Sequence, residues 1–362
     1  MYGKQEKALI ALSLVDGIGP KRMSKLLSMV DEPNEIMQAD DSLIKKIIGE
    51  KAYKNYGNVV RSSMVEDHIA NVEKMGIRMI CRFTDAYPSQ LEEIFDPPYV
   101  LYIKGSLESI PTDKLLGSVG SRAPTRYGQQ TAYSICKEAA RQGVTVVSGM
   151  ARGIDTCSHT GALDGGGTTI AVLGSGVDIC YPPENIELYD RIMSSGLVIS
   201  EYRPGASPIA NHFRSRNRII AGLSQAVLVA EADKGSGSKI TVDYALDYSR
   251  EIFAVPGPIN SQLSYTPNHL IRDGAHMVLE PGDLLYEMNW AVKRTADVSF
   301  KNLSVTLSDE EAEIVRPLMN EELSFEELSE KTGYSPDKLN SLLTMLQLRG
   351  IIKQHSGRIY SI

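Results

Sequence analysis

The chain is short of cysteine, of net positive charge and of long apolar runs, and each shortage removes a class of protein. Only four cysteines occur in 362 residues, Cys81, Cys136, Cys157 and Cys180, far apart and with no CxxC pair. They fit neither a disulfide framework nor a zinc site, and they suit a reducing cytoplasm with each thiol a small buried hydrophobe. No apolar run reaches membrane-spanning length, so no membrane association is expected. The start, Met1 to Lys7, leads into a segment that turns at Gly17 without a small-residue cleavage site, and no signal peptide is read there. The formal net charge is −7. Residues 1–68 hold ten Lys/Arg against ten Asp/Glu, residues 69–299 hold 21 against 25, and residues 300–362 hold seven against ten. Non-specific coating of duplex DNA needs clustered cations, so any polyanion site must be local. Catalytic signatures are missing as well: there is no GxxxxGK[ST], HExxH, nucleophile elbow or obvious carboxylate pair. No catalytic residue, cofactor or metal is expected.

What is present is a series of short aliphatic runs, each ending in a small residue or a glutamate. They are 114–120, 144–149, 169–174, 197–201, 226–231 and 252–257, with helix-length segments between them. Unbroken aliphatic runs alternating with helices predict a doubly wound, mostly parallel α/β sheet. Ligands of such sheets sit outside the carboxyl ends of the strands. Twenty of the 30 glycines fall between 111 and 290, which places close backbone approach in the same region. Arg78–Cys81 and Tyr99–Gly105 read as further strands that extend the sheet at one edge.

The flanks read differently. Up to residue 68 the pattern is short helices, and Leu14–Leu27 has the form of a helix-hairpin-helix. Gly17 and Gly19 make its turn and Pro20 opens the second helix. Lys21, Arg22 and Lys25 there either hold a phosphate or decorate a packing domain. Residues 69–290 form the α/β domain, 291–302 a polar linker, and 303–362 three helices and a β-hairpin, a winged-helix pattern. Ser308 with Glu311 and Ser324 with Glu327 read as capping boxes. The third helix carries only Lys338 and Arg349 as cations, which favours packing or protein contact over duplex reading.

Each strand tip offers groups for an anion. At the first, Gly120 lets the backbone approach a ligand, Ser121 is placed to cap the next helix, and Arg122 and Arg126 project near its N-terminus. At the second, Gly149 and Gly153 flank Arg152 in a turn and Asp155 is a cap candidate, while His159 has no nucleophile or metal partner at useful spacing and reads as structural. The pair Gly174 and Gly176 is half a dinucleotide fingerprint. Arg214, Arg216 and Arg218, with Asn217, form the densest cation cluster. It either fans along one edge in extended form or pairs with Glu201 and Glu231. Ser236, Ser238 and Lys239 lie in a small-residue loop able to form an anion nest. Several phosphate seats on one edge without a catalytic set describe a track for a polyanion.

Taken in order, GSR at 120–122, GMARGID at 149–155, LGSGVDICYPPEN at 173–185, SEYRPG at 200–205, RNRIIAGLS at 216–224, SGSKIT at 236–241 and FAVPG at 253–257 resemble the bacterial DNA-processing protein A (DprA/Smf) family. The resemblance spans essentially the whole chain. It implies a sterile-alpha-motif-like helical start, an extended Rossmann domain and a winged-helix end. It further implies a cytoplasmic, non-enzymatic protein that binds and protects single-stranded DNA without sequence preference. Such a protein hands the strand to the RecA recombinase during natural transformation and works as a homodimer through the Rossmann domain. By position, Arg122 becomes the leading phosphate ligand. The Gly149–Gly153 turn, Arg216-Asn217-Arg218 and the Ser236–Lys239 loop complete the pocket, with Tyr189 and Tyr181 either base-stacking or packing residues. Two positions depart from the family pattern: Ile186 stands where a lysine is frequent, and Lys239 where leucine is usual. The competing class is a nucleotide-binding or nucleotide-processing Rossmann-like enzyme. Those enzymes use a catalytic glutamate after a related loop, and here the nearest acid is Asp243.

Overall fold

The computed structural model describes residues 2–290 and 308–361, apart from 61, 107, 109, 319–321, 350 and 356. The linker expected at 291–302 lies outside the described residues. Two compact units are present, Met1–Arg294 and Thr295–Ile362.

The first unit opens with five helices, α1 (Lys4–Leu14), α2 (Pro20–Leu27), α3 (Asp41–Ile48), α4 (Glu50–Val60) and α5 (Met64–Lys74). The turn between α1 and α2 is the one read from the glycines. Gly17 has φ +97°, Gly19 caps α2, and Pro20 occupies its first turn, where a missing amide costs nothing. α5 runs through residue 68 and ends at Lys74, so the helical segment is longer than its sequence boundary. Leu9, Leu26, Ile44 and Val72 from these helices share one apolar cluster with Met79, Tyr102 and Leu188. That shared core joins helices and sheet into one unit.

The sheet follows: β1 (Arg78–Cys81), α6 (Ser89–Glu92), β2 (Val100–Gly105), β3 (Leu115–Val119), α7 (Arg126–Arg141), β4 (Thr145–Ser148), α8 (Ile154–Asp164), β5 (Thr169–Val172), α9 (Ile186–Ser195), β6 (Leu197–Ser200), α10 (Ala210–Leu223), β7 (Ala226–Val229), α11 (Ser238–Asp247), β8 (Glu251–Ala254), α12 (Tyr265–Arg272), β9 (His276–Met277) and α13 (Pro281–Glu287). All six predicted aliphatic runs are strands. The order is β1-β2-β6-β5-β4-β3-β7-β8-β9, with β3 to β9 parallel and β1 and β2 antiparallel at one edge, as expected. The chain winds from β3 outward through β4, β5 and β6, then crosses back to β7 and β8 on the other side. The winding therefore reverses at β3, and a crevice opens outside its tip.

His159 of α8 is fully buried, and its Nδ1 lies 2.7 Å from the hydroxyl of Thr169. That hydroxyl already donates to Val146 O at 2.7 Å, so Nδ1 must carry the proton and the ring is neutral. Burial, helped by Arg216, drives the His159 pKa down to about 3. The unfolded chain takes up this proton near the ordinary value of 6.5, so stability is full above 6.5 and declines as pH falls toward 3. The expected slope is about 1.4 kcal/mol per pH unit. Urea unfolding of the protein and of His159→Gln between neutral pH and pH 5 checks this. The variant's slope should be shallower, and parallel curves would contradict the assignment.

The second unit contains α14 (Asp309–Leu318), β10 (Leu323–Ser324), α15 (Phe325–Thr332), α16 (Pro336–Leu348), β11 (Lys353–His355) and β12 (Ile359–Ser361), with a sheet ordered β10-β12-β11. Both capping boxes form. Ser308 N donates to Glu311 and Glu311 N to Ser308 Oγ, and Ser324 and Glu327 repeat the exchange. Ile314, Leu328, Leu339, Leu343 and Leu346 fill the core, the winged-helix arrangement that was expected. Lys338 and Arg349 are bound to Glu310 (2.8 Å) and Glu311 (2.6 Å).

Candidate nucleic-acid interface

The crevice at the β3 tip is an open cleft of about 810 Å³. Its walls are the loops after β3, β4 and β7 and the start of α10. The first loop is held rigidly. Glu231, buried after β7, accepts Thr125 N at 2.8 Å and the Thr125 hydroxyl at 2.6 Å, while Ser121 N donates to Glu231 O at 2.6 Å. Thr125, not Ser121, caps α7, its Oγ1 accepting Gly128 N; the Ser121 hydroxyl accepts Ala123 N instead. The loop between strand and helix is longer than the sequence implied. Arg122 stands exposed on this braced loop with its guanidinium 5.9 Å from the Phe213 ring. Arg126 is exposed at the first position of α7, outside the residues that line the cleft.

The turn after β4 closes around two charges. Asp155 does not cap α8, a position taken by Gly153; its carboxylate reaches back to accept Gly149 N (3.1 Å) and Ala151 N (3.2 Å). Gly149 O in turn accepts Arg216 Nη1 at 2.6 Å, and Nη1 also donates to Val172 O. A side chain at 149 would run into the Arg216 guanidinium. Gly153 has φ +78° and faces Ser121 O at contact distance, so it too must be glycine. Arg152 points outward, and its Nε is bound to Glu184.

The arginine cluster is not extended. Residues 210–223 form α10, with Ile219, Ile220 and Leu223 directed into the core. In a helix, positions two apart lie on nearly opposite sides. Arg214 is exposed on the wall of the cleft, whereas Arg216, only 4% exposed, forms part of its floor. Burial lowers the Arg216 pKa to about 10 despite the opposing pull of Asp155, so it stays charged at neutral pH. Arg218 is interior, at 3.2 Å from Asp96 and 2.5 Å from Glu201. Of the two pairings considered for this cluster, Glu201 holds and Glu231 does not. Asn217 bridges α10 to the β7 loop, its Oδ1 accepting Arg216 Nε and its Nδ2 donating to Gly237 O.

Ser236 and Ser238 line the cleft, their hydroxyls 2.6 Å apart. Lys239 does not reach it: the ammonium pairs with Asp243 at 2.7 Å, on the side of α11 away from the cleft lining. Asp243 is thereby occupied by a surface ion pair. Tyr189 is a correction. It is buried, and its hydroxyl donates to Val177 O, with burial pushing its pKa up to about 12. No face of its ring is free for a base. Arg218 is likewise removed from any surface contact. The aromatic surface lies elsewhere: Tyr181 and Phe213 line the cleft with ring centroids 5.5 Å apart. Phe213 and Arg214 were missed as site residues because their orientation depends on the helical phase of α10.

Fold and site together define a Rossmann-like protein with an open, arginine-bearing cleft at the sheet's switch point and a separate winged-helix unit. The family model for the DNA recombination-mediator protein A matches residues 78–289, and that for the DprA winged helix domain matches 301–358. The chain belongs to the DNA recombination-mediator protein A family. It is 44% identical over 206 residues to the DNA processing protein DprA of Streptococcus pneumoniae, covering 57% of this chain and 72% of that protein. It is 35% identical over 299 residues to the protein Smf of Synechocystis, covering 79% and 73%. The X-ray structure of the S. pneumoniae protein superposes with TM-score 0.67 at 35% identity, over 79% of this chain and 98% of that one. A Helicobacter pylori DNA processing protein A, whose structure describes a single-stranded DNA binding mode, superposes with TM-score 0.54 at 28% identity, over 59% and 95%. Among the described residues, no helix is long and apolar enough to cross a membrane.

Proposed function

We propose that the protein binds single-stranded DNA across the switch-point cleft and acts as a non-enzymatic recombination mediator that delivers the strand to RecA. The observation that carries this is the pairing, in one open cleft, of exposed Arg122 and Arg214 with the aromatic faces of Tyr181 and Phe213. Guanidiniums track phosphates while aromatic faces stack any base, the combination that gives sequence-tolerant single-strand binding. Arg216 adds a fixed positive charge in the floor. Ser121, Gly149, Gly153, Asn217, Ser236 and Ser238 shape the cleft, whereas Arg126, Arg152 and Lys239 flank it. The two carboxylates that line the cleft are engaged by backbone amides: Asp155 accepts two and faces Arg216, and Asp233 accepts Lys234 N. The likeness to the H. pylori protein agrees with this assignment.

Phosphate contacts release counterions, so log affinity should fall linearly with log salt, with a slope of about −0.7 per phosphate contacted. Two or three contacts correspond to a slope near about −1.5 to −2. Anisotropy titrations of a labelled oligothymidylate over a salt series check this, and an affinity independent of salt would contradict it. Delivery to RecA is tested by RecA ATP hydrolysis on single strands precoated with single-strand-binding protein. Addition of the protein should shorten the lag. The homodimer is tested by sedimentation. Exposed Met277 of the edge strand β9 and Tyr286 of the following helix α13 supply apolar area for a Rossmann-to-Rossmann contact.

A further inference from the structure

The segment leading into α10 separates two clefts. Pro208, Ala210 and Phe213 face the switch-point cleft, whereas Ser207, Ile209 and His212 face a neighbouring cleft of about 610 Å³. The second cleft lies at the β6 tip, where Glu201, Tyr202 and Arg203 follow the strand. Its far wall is the hairpin turn Gly19–Pro20 that opens α2. Adjacent aromatics of α10 thus serve the two clefts. Phe213 pairs with Tyr181 in the first, and His212 stacks on Tyr202 in the second, with centroids 3.8 Å apart and planes at 18°.

Polar groups of the second cleft keep capacity to spare, although Glu201 Oε2 is held by Arg218. Arg203 is half exposed, and its guanidinium is 3.5 Å from Asp16. An exposed pair at that separation contributes well under about 1 kcal/mol and gives way readily to a phosphate. Glu201 Oε1 and His212 Nδ1 are buried and have no hydrogen-bond partner among the described residues. A carboxylate oxygen with spare accepting capacity beside a stacked aromatic pair matches an N–H donor on the edge of a nucleobase, the N3–H of thymine included. Lys21, Arg22 and Lys25 of α2 are exposed beyond the turn.

We propose that this second cleft continues the single-strand track, so that DNA leaving the switch-point cleft crosses the start of α10. There a base stacks on the Tyr202–His212 pair and a phosphate takes Arg203, in front of the helical hairpin. The proposal gives the N-terminal helices a part in DNA binding, and it rests on the single-strand reading of the first cleft.

Oligothymidylates of about six and about twenty nucleotides separate the two sites, since single-strand sites of this kind occupy about 4–16 nucleotides. The full-length protein should bind the longer strand more tightly. Tyr202→Ala and Arg203→Ala should each lose about five- to tenfold on the longer strand and bind the shorter one like the parent. Tyr202→Phe, which keeps the ring, should retain the longer-strand affinity. Iododeoxyuridine in the longer strand should crosslink to Tyr202. Parental affinity of both alanine variants for the longer strand would overturn the second cleft, and so would an equal loss on both lengths. Failure of the parent protein to bind the short strand would instead overturn the first cleft.

Discussion

Arg122→Ala should weaken single-stranded DNA binding by about ten- to a hundredfold while leaving stability within about 0.5 kcal/mol of the parent protein. A charge-assisted hydrogen bond to phosphate contributes about 1.5–3 kcal/mol, which is that range in affinity. The side chain is exposed on a loop whose geometry is set by Glu231, Thr125 and Ser121 rather than by the guanidinium itself. Removing it therefore takes away a ligand contact and little else, and surface changes of this kind seldom move stability by more than about 0.5 kcal/mol. Arg126 and Arg152 provide the contrast. One lies outside the cleft lining and the other is bound to Glu184 in the open, so their alanine variants should lose only about two- to threefold through diminished charge. Anisotropy titration and urea unfolding on the same preparations separate the two effects. A parental affinity for Arg122→Ala would remove the cleft from the account.

Arg216→Ala should behave in the opposite way, losing stability first and binding as a consequence. Its guanidinium is buried, and its loss leaves the carbonyls of Gly149 and Val172 without their donor and Asp155 without the cation that balances it. Leaving buried carbonyls without their donor costs about 1–3 kcal/mol each. Thermal unfolding should therefore show a midpoint lowered by several degrees to more than ten. Lysine is no substitute, because Nη1 donates to both carbonyls while Nε donates to Asn217 Oδ1, and a single ammonium cannot occupy both positions. An Arg216→Ala protein as stable as the parent but unable to bind DNA would show that Arg216 is a direct ligand instead.

The contrast between Arg122 and Arg216 also shows where sequence was legible. Aliphatic runs such as Ala226–Val229 need no context to be read as buried parallel strands, and their glycine ends fall at the strand tips where the cleft opens. Capping boxes at Ser308 and Ser324 were equally local and formed as read. What sequence could not carry was the phase of α10. With the cluster read as an extended fan, Arg214, Arg216 and Arg218 were equivalent. Wound into a helix, they become a cleft residue, a floor charge and an interior ion pair with Asp96 and Glu201. Tyr189 failed for a related reason. Whether an aromatic next to a ligand loop faces outward depends on α9 packing Tyr189 and Ile192 against Leu173, Val177 and Val198, which no short-range pattern encodes. Tertiary packing also brought Phe213 against Tyr181, whereas Lys239 pairs with Asp243 one turn on in α11, a local contact that follows once that segment is helical.

The central claim is that the switch-point cleft takes a single strand. It is tested most directly by titrating the full-length protein with labelled single-stranded and duplex oligonucleotides of equal length, at low and at moderate salt, alongside Arg122→Ala. Strong preference for the single strand, weakened by salt and lost in Arg122→Ala, is the predicted result. Equal affinity for duplex, or no binding to either, would contradict the account and turn attention to nucleotide turnover and to the winged-helix unit.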